Sequence, residues 1–217
     1  MKRVTLFSGH FGSGKTNLAV NYAEMIAAAG LPVSIADLDI VNPYFRTKDS
    51  EAELKARGIE LISLPYANSN VDLPSLPSEA YGLFERRDRY AVIDLGGDDR
   101  GALALGRFTP YILEENDFEM IFTVNFYRPL TRTPEDAYDA FLEIAAVSGV
   151  PFTAIVNNSN LGEETTAEHI LRTVPLARRF SELAGVPVLM TSASERIRGL
   201  ERIPDLFPMK LQEKYYL

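Results

Sequence analysis

Gly9-His10-Phe11-Gly12-Ser13-Gly14-Lys15-Thr16 follows the apolar run Val4-Thr5-Leu6-Phe7 and leads into a helical pattern from Asn17 to Ala29. The spelling G-x-x-x-x-G-K-[ST], set between a strand and a helix, is that of a phosphate-binding loop. A triphosphate needs many donors at once. The densest source is a run of backbone N–H groups at a helix N-terminus, where the macrodipole also favours negative charge. Such a wrap demands residues that tolerate positive φ and close backbone approach, which Gly9, Gly12 and Gly14 supply. Lys15 is expected to place a cation between the β- and γ-phosphates, and Thr16 to offer its hydroxyl to Mg²⁺. The loop residues together with Asn17 are the candidate nucleotide contacts.

Outward from this loop, 217 residues with 46% hydrophobic content suffice for one buried core, so residues 1–217 are read as a single nucleotide-binding domain. The net charge of −8 argues against non-specific binding to nucleic acid or to an anionic membrane. The sequence has no cysteine and two histidines, which excludes disulfides, thiolate catalysis and a conventional zinc site. No apolar stretch approaches the roughly 20 residues of a membrane span, and the sequence opens on its first strand, so a cytoplasmic location without stable membrane insertion is expected.

Short β-rich runs then alternate with helical patterns. Val33 to Ala36, Glu60 to Ser63, Tyr90 to Asp94, Met120 to Val124, Phe152 to Val156 and Val186 to Met190 read as strands. Helices are predicted near Lys15 to Ala29, Ser50 to Arg57, Leu76 to Arg87, Leu103 to Glu115, Thr133 to Ser148, Thr165 to Ala184 and Glu195 to Ile203. This order predicts a three-layer α/β/α sandwich around a mostly parallel sheet, the fold of P-loop NTPases. Thr133-Pro134-Glu135-Asp136 carries the marks of a helix start: a capping hydroxyl, proline at the first position and acids in the first turn. Gly30, Gly58, Gly149 and Gly185 sit where helices end. The stretch Pro65 to Pro77 reads as an irregular surface excursion.

Two further strand ends concentrate acids. Ile93-Asp94-Leu95-Gly96-Gly97 puts Asp94 at the end of a buried run, where Mg²⁺ or its water shell is held, and its D-x-x-G spacing makes Gly97 a γ-phosphate sensor. Asp98 and Asp99 beside it read first as solvated loop acids. Ala36-Asp37-Leu38-Asp39 sends two carboxylates off one strand on the same side. One could orient the attacking water and the other support the metal shell. Open α/β sheets bind ligands at the carboxyl ends of neighbouring strands, where these acids and Lys15 would converge.

On Gly9 to Thr16, Asp37-x-Asp39 with Asn42-Pro43, Asp94 to Gly97 and Val156-Asn157, the chain resembles the P-loop NTPases of the MinD/ParA and CobQ/CobB type, the SIMIBI-type superfamily. The resemblance implies neighbouring P-loop and Walker B strands, Mg-ATP at their ends, and an ATP-driven homodimer. It gives Asp39 the hydrolytic water and Asp94 the Mg²⁺. The MinD/ParA branch writes its loop K-G-G-x-G-K-[ST], with an early lysine that reaches the partner's nucleotide. Here His10 and Phe11 stand in that region, so this is a variant without the signature lysine, and slow hydrolysis is expected.

The base is approached through Asn157-Asn158-Ser159-Asn160, which follows a strand where guanine-specific relatives place N-K-x-D. Guanine selection uses an aspartate with two acceptor oxygens, and Asn160 has one carbonyl and a clashing amide. Adenine, read by the Asn157 side chain and backbone groups, fits better, while Thr191-Ser192-Ala193-Ser194 keeps GTP in view. Asn125 to Arg132 gathers Arg128 and Arg132 with two aromatics, either to receive a client or anionic second substrate or as a plain capped loop. Arg178-Arg179 reads as a solvated helix face, and the segment from Leu206 to Leu217 as a tail docked on the body. Three readings follow. The first is an ATP/ADP- and Mg²⁺-binding ATPase that acts as a switch toward an unidentified protein or small-molecule client. The second is a ligase or kinase in which Arg46, Arg128 or Arg132 grips a second substrate. The third, a dinucleotide binder, requires G-x-G-x-x-G spacing that the loop does not have.

Overall fold

The computed structural model describes residues 1–38, 51–63, 78–97 and 105–211. Among them eight strands form one sheet: β1 (Val4–Ser8), β2 (Val33–Leu38), β3 (Glu60–Ser63), β4 (Tyr90–Leu95), β5 (Phe118–Val124), β6 (Ala154–Asn157), β7 (Val188–Ser194) and β8 (Leu206–Met209). Their order is β3-β2-β4-β1-β5-β6-β7-β8, and every pairing is parallel. Parallel neighbours need crossovers, and the helices supply them: α1 (Lys15–Ala28), α2 (Glu51–Ala56), α3 (Ser78–Glu85), α4 (Thr109–Glu115), α5 (Pro134–Ser148) and α6 (Ala167–Ala184).

Alternation along each strand divides the core in two. Leu6, Leu38, Ile93, Phe122 and Ile155 pack with α3, α4, α5 and α6, whereas Phe7, Ile35, Val92, Ile121 and Val156 pack with α1 and α2. The first layer is rich in aromatics: Phe122 meets Phe141, Phe152 and Phe180 at centroid distances of 5.3 to 5.5 Å. The expected three-layer sandwich is present, and its sheet is wholly parallel among the described residues. Helix starts behave as written. Thr133 accepts from the Asp136 amide at 3.1 Å while Asp136 reaches back to the Thr133 amide at 3.2 Å, closing a capping box on α5.

Two elements differ from the sequence reading. The stretch predicted as a helix from Glu195 to Ile203 is a turn followed by a single 3-10 turn at Leu200–Arg202, entered through Gly199 at φ 80°. Next, the chain adds the edge strand β8, where Pro208 is tolerated because an edge leaves one side without ladder bonds. Just after β8, Lys210 is held to the body: the Asn21 side chain donates to its carbonyl at 2.9 Å and accepts its amide at 2.7 Å, and the rest of the expected docked tail, 212–217, lies outside the described residues. No helix among the described residues is long and apolar enough to cross a membrane.

The strand order positions the site. From β1 the chain moves one way to β2 and, after β4 returns beside β1, continues the other way through β5. This reversal opens a crevice at the carboxyl ends of β1, β4 and β5, the place where open α/β sheets bind ligands.

Candidate nucleotide-binding site

The loop from Gly9 to Gly14 leaves β1 in that crevice and enters α1. Gly9, Gly12 and Gly14 hold φ of 143°, 76° and 87°. Gly14 is the N-cap of α1 and provides no side-chain cap, so the helix start presents backbone N–H groups to the crevice. A side chain at Gly14 would be strained by its φ and would overlap the Asn158 amide nitrogen. The loop closes on itself through the Ser13 amide, which donates to the His10 carbonyl at 3.2 Å. Lys15, at 5% exposure, directs its ammonium to the same carbonyl at 3.5 Å. Thr16 is buried and Asn17 half-buried, while His10 is half-exposed and Phe11 projects outward.

The acids fall where the sheet puts them. Asp37 and Asp94 are opposite each other in the β2–β4 register, and Asp94 is also opposite Phe7 of β1. Both share the strand parity of Val92, Ile35 and Phe7, whose side chains pack with α1. Two buried carboxylates therefore face the helix whose first turn carries Lys15 and Thr16. A hydroxyl and two carboxylates form an all-oxygen donor set of the kind Mg²⁺ takes, with substrate phosphates and waters completing the shell. The buried Ser13 hydroxyl, with no hydrogen-bond partner among the described residues, is a further polar group that a bound phosphate or water would satisfy. The loop and its neighbours thus fit a Mg-nucleotide. Asp39, Asn42, Arg46, Asp98 and Asp99 lie outside the described residues. Gly97 lies on the loop itself: a methyl group there would overlap the Gly9 carbonyl oxygen and crowd His10 and Phe11.

The segment after β6 is built differently from the sequence reading. Asn157 is fully buried, donates its amide to Thr173 at 3.0 Å and accepts the Ser159 hydroxyl at 2.7 Å. These bonds brace the loop from within. Asn158 makes the link to the phosphate loop: its amide donates to the Ser13 carbonyl at 2.6 Å and its oxygen accepts the Ser192 hydroxyl at 2.7 Å. Asn160 remains half-exposed at the loop end, where its side chain bonds the Asn158 carbonyl and the Gly162 amide. Asn158→Ala is expected to lower nucleotide affinity about tenfold, because a buried carbonyl of the phosphate loop loses its partner. Titration of both proteins with Mg-ATP checks this.

On the far side of the loop, Arg128 donates its Nε–H to the Gly12 carbonyl at 3.0 Å. Its neighbour Tyr127 donates its hydroxyl to the His169 carbonyl at 2.8 Å, and burial pushes that phenol up from its ordinary value, so it stays a donor. Neither the Asn158 staple nor the Arg128 contact was assigned from sequence. Both depend on the strand order, which brings the ends of β1, β5, β6 and β7 together.

No protein-family model and no curated protein matches the chain. Solved structures do. FtsY from Mycoplasma mycoides superposes with a TM-score of 0.60 at 18% identity, over 90% of this chain and 62% of that one. Cell division protein FtsY from Thermotoga maritima gives 0.55 at 15% identity, over 90% and 63%. The signal recognition particle 54 kDa protein from Aeropyrum pernix, solved in complex with GDP, gives 0.53 at 14% identity, over 88% and 41%. This chain therefore spans about three-fifths of the length of the first two and two-fifths of the third. The likeness is one of fold, and the fold is that of α/β P-loop NTPases.

Proposed function

We propose that this chain binds a Mg-nucleoside triphosphate at Gly9–Thr16 and hydrolyses it slowly, so that its nucleotide state governs a partner. One observation carries the reading: buried Lys15 and Thr16 begin α1 at the carboxyl ends of β1 and β4, with Asp37 and Asp94 buried on the same face. In this reading Thr16, Asp37 and Asp94 serve Mg²⁺, and Gly97 senses the terminal phosphate. Asp39 orients the attacking water, as the MinD/ParA resemblance implies. The large apolar residues Phe11 and Leu130, 62% and 59% exposed, lie within two residues of the Gly12–Arg128 contact and offer surface to a client or a second copy.

ATP is favoured over GTP because Asn160 cannot provide the two acceptor oxygens that the guanine edge requires. A second reading, GTP, is favoured by the GDP complex of the similar Aeropyrum pernix protein. Measuring Mg²⁺-dependent phosphate release from ATP and GTP tests both, with Asn160→Asp alongside the wild type. The account expects ATP to be preferred by the wild type and the GTP-to-ATP ratio to rise roughly tenfold in the variant. Preference for GTP by the wild type would overturn the base assignment, and no release from either nucleotide would overturn hydrolysis itself.

A further inference from the structure

We propose that Arg128 is a nucleotide-contacting residue that binds the terminal phosphate from within the same chain, a role that rests on reading Gly9–Thr16 as the nucleotide site. The guanidinium has five N–H donors in a rigid planar fork. One of them, on Nε, is spent on the Gly12 carbonyl at 3.0 Å. A methyl group built on Gly12 would lie 3.4 Å from Nε, 3.7 Å from Cδ and 3.8 Å from Cζ, so the side chain lies across the outer surface of the loop. Among the described residues no other hydrogen bond or ion pair engages this guanidinium. Its Nη edge, the part that pairs bidentately with phosphate oxygens, is available while Nε fixes its direction.

The backbone under Arg128 is held firmly for a residue so exposed. Fully buried Asn125 accepts the Arg128 amide at 3.0 Å and the Thr131 hydroxyl at 2.7 Å on its carbonyl. Its side-chain oxygen accepts the amides of Tyr127 at 3.0 Å and Asn160 at 3.2 Å. The Tyr127 hydroxyl is tied to α6. A cation presented from a fixed backbone loses less conformational freedom when it meets an anion.

Position selects the phosphate. Gly97 abuts Gly9, His10 and Phe11, and Gly12 is the next residue. Arg128 follows β5, on the other side of β1 from β4, and meets the loop one residue beyond the stretch that Gly97 touches, so in the proposed reading the third phosphate lies between the two. Asn158 braces the following residue, Ser13. Lys15 and Arg128 then approach the phosphates from inside and outside the loop, and Arg128 distinguishes a triphosphate from a diphosphate.

The test is calorimetric titration of wild type, Arg128→Ala and Arg128→Lys with Mg²⁺ and either adenylyl imidodiphosphate, a non-hydrolysable triphosphate analogue, or ADP. Arg128→Ala is expected to weaken the analogue roughly 10- to 30-fold and ADP less than about twofold, with Arg128→Lys recovering part of the loss. Thermal unfolding of the three proteins provides the fold control. Parallel loss of both ligands with a lowered unfolding midpoint would mark Arg128 as a structural staple and overturn the proposal. Unchanged binding of both ligands would overturn it as well. Binding of neither ligand by the wild type would instead overturn the nucleotide site, and this proposal with it.

Discussion

Lys15→Ala is expected to weaken Mg-triphosphate binding by about 100-fold, roughly 2.7 kcal/mol, and to take hydrolysis below detection. The lysine is 95% withdrawn from solvent, at the first position of α1, with its ammonium 3.5 Å from the His10 carbonyl. The backbone amides of the loop can satisfy phosphate oxygens as donors, but they cannot neutralise the net charge of a triphosphate. Lys15 is the cation the loop encloses. Lys15→Met keeps most of the aliphatic stem and separates charge from packing. The account requires both variants to lose affinity alike while remaining folded by circular dichroism. Retention of wild-type affinity in either would place the nucleotide elsewhere.

Gly97→Ala is expected to reduce phosphate release by roughly 100-fold and to lower stability by about 1–3 kcal/mol. Its added methyl would meet the Gly9 carbonyl oxygen and crowd the backbone of His10 and Phe11. These are main-chain atoms of a closely held turn, so neither side can yield as a flexible side chain would. Gly9 is itself confined from behind, since a methyl there would overlap the Thr123 carbonyl of β5. The loop therefore sits between β4's exit and β5 with no room for an extra carbon. Single-turnover phosphate release and chemical unfolding of the same variant read the two effects. Full activity at wild-type stability would show that the β4 exit and the loop are not coupled.

What was legible in the sequence was local. Gly9 to Thr16 lies in one strand–loop–helix unit, so its spacing alone set the candidate loop between β1 and α1, and the buried runs of β1, β2 and β4 announced a parallel sheet. Thr133 to Asp136 likewise specified its own cap. What was not legible depended on distant partners. The Asn158–Ser13 bond spans 145 residues, the Arg128–Gly12 bond 116, and the Asn158–Ser192 bond 34. Each exists only because the strand order brings β1, β5, β6 and β7 to a common edge. Asn157 was read as a base contact because it ends a strand, yet its side chain is committed to Thr173 and Ser159. The short edge strand β8 was read only as part of a docked tail, and its Pro208 is compatible with an edge position. Glu195 to Ile203 has helical composition, but Gly199 turns the chain before a helix can extend.

The central claim, a Mg-nucleotide site on the Gly9–Thr16 loop, is tested most directly by calorimetric titration of the wild-type chain with ATP, ADP, GTP and NAD, each with Mg²⁺ and again with EDTA. The account predicts tight binding of ATP and ADP, weaker binding of GTP, none of NAD, and triphosphate affinity that falls when Mg²⁺ is removed. Failure to bind any nucleotide, or binding of NAD that is indifferent to Mg²⁺, would contradict it.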